Sequence, residues 1–344
     1  MKRAAIASVA AVAALIGLTA SGSRPSIAGE NGKPTLAWPQ GLPVYDHIVI
    51  VIEENKDYDQ IIDSPDAPYI NWTLRPEGAN FTQMYGEEHN SQGNYFWLFS
   101  GSNQNVGFKD SVPKQELDMP NLGNSLIAKG RSFKGYSENL PEIGSKDVVG
   151  KGPNKLYARK HVPWISFKNV PNTTGQATSS NLRFCDFPAD PANYDSLPTI
   201  AFVIPNLEND MHNGQPEQSI PTGDAWLKKN IDPYFQWSKN HNSLLIVTFD
   251  ESDDKSGYVG LTNPFVLPRD QYRRDLQNHI PTIFAGAHIR PDDYPEGKGI
   301  THVNILRTLE AMYGLPPAGA QQPNAAGGGI TDHYISDVFE KPER

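Results

Sequence analysis

Residues 47–55 read HIVIVIEEN. Ile48 to Ile52 are five successive β-branched apolar residues with no polar alternation, which describes a strand covered on both faces. The run stops at three polar residues, Glu53, Glu54 and Asn55. Working outward, TIAFVI (Thr199 to Ile204) ends in Pro205-Asn206, and LLIVTF (Leu244 to Phe249) ends in Asp250-Glu251. A fourth run, Thr282 to Ala285, follows Pro281. Helix-like stretches fall at Leu122 to Lys129, Asp224 to His241 and Val303 to Tyr313. Buried strands interspersed with helices predict an α/β fold with a mainly parallel sheet.

The chain has 344 residues with 30 Lys and Arg against 39 Asp and Glu, net −9. That sign argues against a nucleic-acid partner. With 29 Gly and 29 Pro the chain is rich in turns, unlike a helical bundle. One cysteine, Cys185, rules out an internal disulfide and a zinc site built of several thiolates. Lys2 and Arg3, then an apolar run from Ala4 to Leu18 and small residues after it, form the pattern of an export signal. The expected organisation is a signal peptide over residues 1–28 and a single domain over 29–344. Residues 141–198 are loop-rich and read as a cap or insertion. Without the signal the chain is expected to be acidic, secreted or periplasmic, and to carry no membrane anchor.

In open α/β sheets ligands bind beyond the carboxyl ends of the strands. Three groups of polar residues occupy that place here: Glu54 with Asn55, Asn206 with Asp210 and His212, and Asp250 with Glu251. Each group alone reads more readily as turn or capping residues; three after three buried strands predict convergence. A fourth feature is HNSQGNY, His89 to Tyr95, opening an apolar stretch to Ser100-Gly101. It reads as a helix from Ser91 to Ser100 with Ser91 as N-cap, where backbone donors and the helix dipole favour an anion.

HIVIVIEENKDYDQII, HNSQGNYFWLFSG, IPNLENDMHNG, LLIVTFDES, IPTIFAGAHIRP and THVNILRTLEAMYGLP occur in this order. Together they resemble the phosphoesterase family of bacterial and fungal acid phosphatases, which also holds bacterial phospholipases C. The resemblance runs from about Tyr45 to about Leu315. It implies an alkaline phosphatase-like three-layer α/β/α sandwich. It implies metal ligation by Glu54, Asn55, Asp250 and Glu251 together with Ser91, and a nucleophilic role for Ser91. It also implies contact of Asn206, His212 and His302 with the phosphoryl group, His212 and His302 taking part in catalysis, with Asp210 in support. Asn94, in the nucleophile's motif, and His89 before it join the substrate contacts. Three positions depart from the family pattern. Asn90 and Gly93 stand where proline is usual, and Phe249 stands where tryptophan is common.

The implied set fits the chemistry. A phosphate ester repels its nucleophile, so catalysis is mostly positioning and charge neutralisation. A serine hydroxyl needs activation. Three carboxylates, one amide and one hydroxyl make an all-oxygen set that favours one divalent ion such as Mg, Ca or Mn. A protonated His212 or His302 would neutralise phosphate charge, favouring acidic pH. The expected function is a metal-dependent acid phosphatase acting on small phosphate monoesters through a phosphoserine. The alternative within the family is a phospholipase C or another phosphodiesterase; outside it, a non-catalytic binding protein. Among other residues, His47 reads as the start of a strand and His161 as part of the cap. Tyr95, Trp97 and Phe99 read as core, and His241, His279, His288 and His333 as packing or surface groups.

Overall fold

The computed structural model describes residues 38–106, 111–253, 278–295, 300–319 and 333–341. The expected signal peptide lies outside the described residues. Among the described residues no helix is long and apolar enough to cross a membrane. From Trp38 onward the described residues form one compact unit.

Among the described residues there are ten strands: β1 His47–Glu53, β2 Gly78–Phe81, β3 Met84–Tyr85, β4 Phe133–Ser137, β5 Asn181–Arg183, β6 Ile200–Ile204, β7 Ser243–Phe249, β8 Thr282–Gly286, β9 Asp292–Tyr294 and β10 Ile300–Thr301. Six α-helices accompany them: α1 Tyr58–Ile61, α2 Ser91–Ser100, α3 Leu122–Ala128, α4 Pro216–Asn230, α5 Asp232–Ser238 and α6 His302–Tyr313. Eight strands make one sheet in the order β5-β4-β6-β1-β7-β8-β2-β9. The five from β5 to β7 run parallel, and β8 is antiparallel to both β7 and β2. The expected mainly parallel α/β sheet is what forms. Successive residues of a strand point to opposite faces, and every residue of β6 and β7 is buried. Both faces of the central strands are therefore covered.

Cover on one face comes from α2, buried at all ten of its residues. Its Phe99 meets Phe133 of β4 and Phe202 of β6 with ring centroids 5.2 and 5.8 Å apart. Tyr234 of α5 donates to the carbonyls of His47 and Leu244, fastening that helix to the starts of β1 and β7. The single helix expected from Asp224 to His241 is two helices that break at Ile231. Pro233 in the first turn of α5 has no N–H to continue α4, and its ring clashes with the preceding turn.

Residues 141–198 are mostly short 3-10 turns, and they supply β5 to the edge of the sheet. Trp164 from this region lies over Gly135 of β4, where a Cβ would come within 2.1 Å of the indole. The segment is thus built onto the sheet through a close approach that only glycine permits.

Candidate active site

β6, β1 and β7 are neighbouring parallel strands, so their carboxyl ends emerge side by side. Glu53 is in register with Phe249, which puts the next residues, Glu54 and Asp250, at one level above the sheet. The backbone then locks the three ends together. Glu54 N donates to the carbonyl of Asp210 at 2.7 Å, Asp250 N to that of Glu53 at 3.0 Å, and Asn55 N to Asp250 Oδ1 at 3.0 Å. Asn55 holds φ at 36°, a left-handed conformation that asparagine tolerates. The expected convergence of Glu54, Asn55, Asp210, Asp250 and Glu251 is present.

Ser91 reaches this cluster from the start of α2. Its N-cap is Asn90, at φ 83°, and not Ser91 itself. Ser91 is the first helical residue, with its Oγ 3.0 Å from Glu54 Oε2 and 3.3 Å from Glu251 Oε1. One hydroxyl proton is thus offered to two carboxylates. Residues four apart on a helix share a face. Tyr95, one turn on from Ser91, accordingly donates to the other oxygen, Glu54 Oε1, at 2.6 Å. Tyr95 is core, as expected, and it is also part of the site. The i, i+4 spacing from Ser91 was the signal that could have identified it.

His161 belongs here too. It ends a 3-10 turn, Arg159–His161, is buried, and stacks parallel to Tyr95 at 5.1 Å. Its Nε2 lies 3.2 Å from Glu54 Oε1, and its Nδ1 lies 3.7 Å from Asp210 Oδ2. Glu54, His161 and Asp210 each bring one ligand atom within 4.8 Å of the others, a group able to hold a metal ion. The sequence read His161 as lining the cap, with contact to the site as the lesser alternative; no spacing ties it to β1.

The donor set fits a cation. Asn55 Oδ1, Asp250 Oδ2, Asp210 Oδ2 and His161 Nε2 are all buried without a hydrogen-bond partner. Unsatisfied buried acceptors are costly unless something positive faces them. Burial pushes the carboxyls of Glu54, Asp210 and Asp250 well above the usual range, and Asp210 and Asp250 each add charge repulsion against a neighbour. Burial, with Lys160 and His212 nearby, pushes His161 well below its ordinary value, so it offers a neutral ring.

Glu251 is also held on its far side. Its Oε1 accepts from Asn55 Nδ2 at 3.0 Å, and its Oε2 accepts from Asn90 N at 2.9 Å and meets His89 Nδ1 at 2.6 Å. His89 therefore reaches the cluster through Glu251. His212 is partly exposed, its ring 6.1 Å from that of His161.

Three of the expected phosphoryl contacts have their polar atoms bonded within the chain. His302 is buried with both ring nitrogens engaged, Nδ1 with Glu87 Oε2 at 2.6 Å and Nε2 with the Phe249 carbonyl at 2.8 Å. Asn94 holds the loop before Ser91, its Oδ1 accepting from Glu87 N and Glu88 N while its Nδ2 donates to the Glu88 carbonyl. Asn206 closes the turn after β6, its Oδ1 accepting from Glu208 N and Asn209 N and its Nδ2 donating to Asn139. Each has its polar atoms committed to the scaffold. Cys185 is exposed and free.

Residues 62–316 match the model of the phosphoesterase family. The chain is 42% identical over 306 residues to a phosphatidylinositol-3-phosphatase of Mycobacterium tuberculosis, covering 89% of each chain. It is 27% identical over 332 residues to a phosphate-repressible acid phosphatase of Penicillium chrysogenum, covering 92% of this chain and 72% of the other. Among solved structures it is similar to the lipoteichoic acid synthase LtaP of Listeria monocytogenes, at a TM-score of 0.52 and 9% identity over 86% of this chain and 78% of that one. That last likeness is one of fold alone.

Proposed function

The chain belongs to the phosphoesterase family and is a phosphoric ester hydrolase, and on that premise we propose that it is a metal-dependent phosphomonoesterase working through a phosphoserine on Ser91. The observation that carries this reading is Ser91 Oγ, set at a helix N-terminus between Glu54 Oε2 and Glu251 Oε1.

Glu54, Asn55, Asp250 and Glu251, with Ser91, would hold a divalent cation; Glu54, His161 and Asp210 form the adjoining group. When bound, the cation neutralises charge on the phosphoryl oxygens. The oxygen donors favour Mg, Ca or Mn, and the single imidazole admits zinc as well. The rest falls to this chain's side chains. Glu54 and Glu251 orient the Ser91 hydroxyl and accept its proton as Oγ attacks phosphorus. Tyr95 fixes Glu54 from its other oxygen. The α2 N-terminus and Lys160 face the phosphate charge. His212, at the partly exposed edge, protonates the departing alcohol oxygen. Water then attacks phosphoserine and releases phosphate.

A phosphate monoester on a lipid headgroup is the substrate class we favour, on the support of the 42% identical phosphatidylinositol-3-phosphatase. Export after removal of residues 1–28 completes the reading, supported by the sequence pattern of that segment.

The test is hydrolysis of p-nitrophenyl phosphate against its bis-ester, with chelator-treated and cation-restored protein and Ser91→Ala alongside. Cation-dependent monoester turnover that Ser91→Ala abolishes supports the proposal. Turnover of the diester alone moves the function to phosphodiesterase, and turnover surviving in Ser91→Ala removes the nucleophile.

A further inference from the structure

Charge is unevenly distributed along this acidic chain. Residues 111–183 carry 11 Lys and Arg against 5 Asp and Glu, net +6 in a chain of net −9. Within them residues 148–159 fold back on themselves. Val149 bridges Ala158 in antiparallel fashion, Gly150 N donates to the Tyr157 carbonyl, and Arg159 N donates to that of Val148. Gly150 makes the fold-back possible, since a Cβ there would meet the Asn154 carbonyl oxygen at 1.6 Å. Tyr157 is buried and anchors the base.

Successive strand residues point opposite ways, so a strand lying on the body hides one of each pair. Val148 and Val149 are instead 55% and 54% exposed, which means that this edge stands clear of the body on both sides. Lys151 and Lys155 are exposed at the tip. Of the other charges, Lys146 pairs with Glu116, and Asp147 is the one acid in the stretch from 146 to 160. The hairpin also borders the candidate active site. Leu207 N, next to Asn206, donates to the Leu156 carbonyl at 3.1 Å, and His161 follows two residues after the hairpin.

We propose that the hairpin 148–159 docks this protein on an anionic phospholipid bilayer, Val148 and Val149 entering the interface and Lys151 and Lys155 meeting lipid phosphates. The proposal rests on the phosphomonoesterase reading for its purpose, which is to bring a headgroup monoester beside His161. The two kinds of side chain together select the occupant. A soluble anion has no use for two exposed valines, whereas a bilayer surface rewards both apolar insertion and positive charge. Each Lys near such a surface raises partitioning roughly fivefold.

The experiment is co-sedimentation of the full chain with vesicles of phosphatidylcholine mixed with phosphatidylserine, against vesicles of phosphatidylcholine alone. The same preparations are assayed on p-nitrophenyl phosphate, and their melting temperatures are recorded. The expected result is salt-sensitive binding to the mixed vesicles only. Lys151→Glu/Lys155→Glu should lower it by about twentyfold or more, and Val148→Asp/Val149→Asp should weaken it too. Both double variants should keep soluble turnover and melting temperature. No binding by the unaltered protein, equal binding by the variants, or equally tight binding to polyglutamate would each overturn the proposal. Soluble turnover without vesicle binding overturns docking alone. Vesicle binding without turnover upholds docking and overturns the phosphomonoesterase reading.

Discussion

The carboxylate of Glu88 occupies the space in which a side chain on Gly93 would begin: a Cβ built at Gly93 would sit 2.3 Å from Glu88 Oε1. Trp97 Nε1 holds that oxygen at 2.9 Å, and Asn103 Nδ2 holds Oε2 at 3.2 Å, so the carboxylate cannot simply step aside. Glycine in place of the family's usual proline is the counterpart of a buried glutamate. Gly93→Ala should destabilise the fold by about 1–3 kcal/mol. Glu88→Ala in the same chain should recover part of the loss. Denaturant melts of both single variants and the double variant decide it, because strictly additive effects would mean that the two residues do not compete for space.

Glu88 also sets a pH dependence. Burial, only partly opposed by its hydrogen bonds, pushes its carboxyl from 4.5 up to about 7. Between those values the folded chain keeps a proton that the unfolded chain has released. Stability therefore falls as pH rises through this window, by roughly 3 kcal/mol over its full width, and is level above it. Glu88→Gln cannot titrate there. The stability difference between the variant and the parent should change across that window and stay constant above it; a constant difference throughout would assign the titration elsewhere.

Tyr95→Phe removes the hydroxyl from Glu54 Oε1 and leaves Ser91 on Oε2. Groups that orient a ligating carboxylate typically contribute 10–100-fold to affinity or activity. Cation affinity, read by isothermal titration, should fall by about that factor. An unchanged affinity would show that Glu54 is positioned by Ser91 and the backbone alone.

His302 faces a carboxylate and a carbonyl, both acceptors, so the fully bonded ring carries two protons. Burial works against that charge, but Glu87 and the Phe249 carbonyl outweigh it and raise the pKa above 6.5. Its stabilising effect is complete below about pH 6.5 and is lost as pH climbs through the raised folded value. The Phe249 carbonyl lies one residue before Asp250, so His302→Gln should loosen Asp250 and weaken the cation by about tenfold. Full cation affinity with a lower kcat would restore His302 to direct contact with substrate.

Divalent cation should stabilise the native chain, since Asn55 Oδ1, Asp250 Oδ2 and Asp210 Oδ2 are buried acceptors without partners. The melting temperature should rise with cation concentration, as expected for a ligand of the folded state only. Asp210→Asn should shift that curve to higher concentration. A melting temperature indifferent to Mg, Ca, Mn and zinc would remove the metal from the site.

The strand ends were legible because burial and charge leave strong local marks. Ile48 to Ile52 could only be covered on both faces, and Glu54 could only emerge at the strand's end. The helix from Ser91 to Ser100 was legible, although its N-cap is Asn90 and not Ser91. Less accessible was whatever depended on which way a polar side chain turns. His302, Asn94 and Asn206 stand in motif positions, yet each turns back to hold its own loop or strand. His161 was obscured for the opposite reason. It sits in a region of short turns without periodicity, and only the sheet-edge packing of Trp164 over Gly135 explains how that region is carried to β1. The break at Ile231 follows from Pro233, a local signal that the helical pattern on either side concealed.

Ser91, Glu54, His161, Asp210, Asp250 and Glu251 come from five separate stretches of chain, joined through the parallel neighbours β6, β1 and β7. No single stretch holds more than two of these six residues. Loops must close over long spans before carboxylates from different stretches meet, and such topologies assemble slowly. Partly folded chains therefore have no preformed trap for a passing cation, and a cut anywhere between Glu54 and Glu251 separates ligands that only the finished sheet holds together.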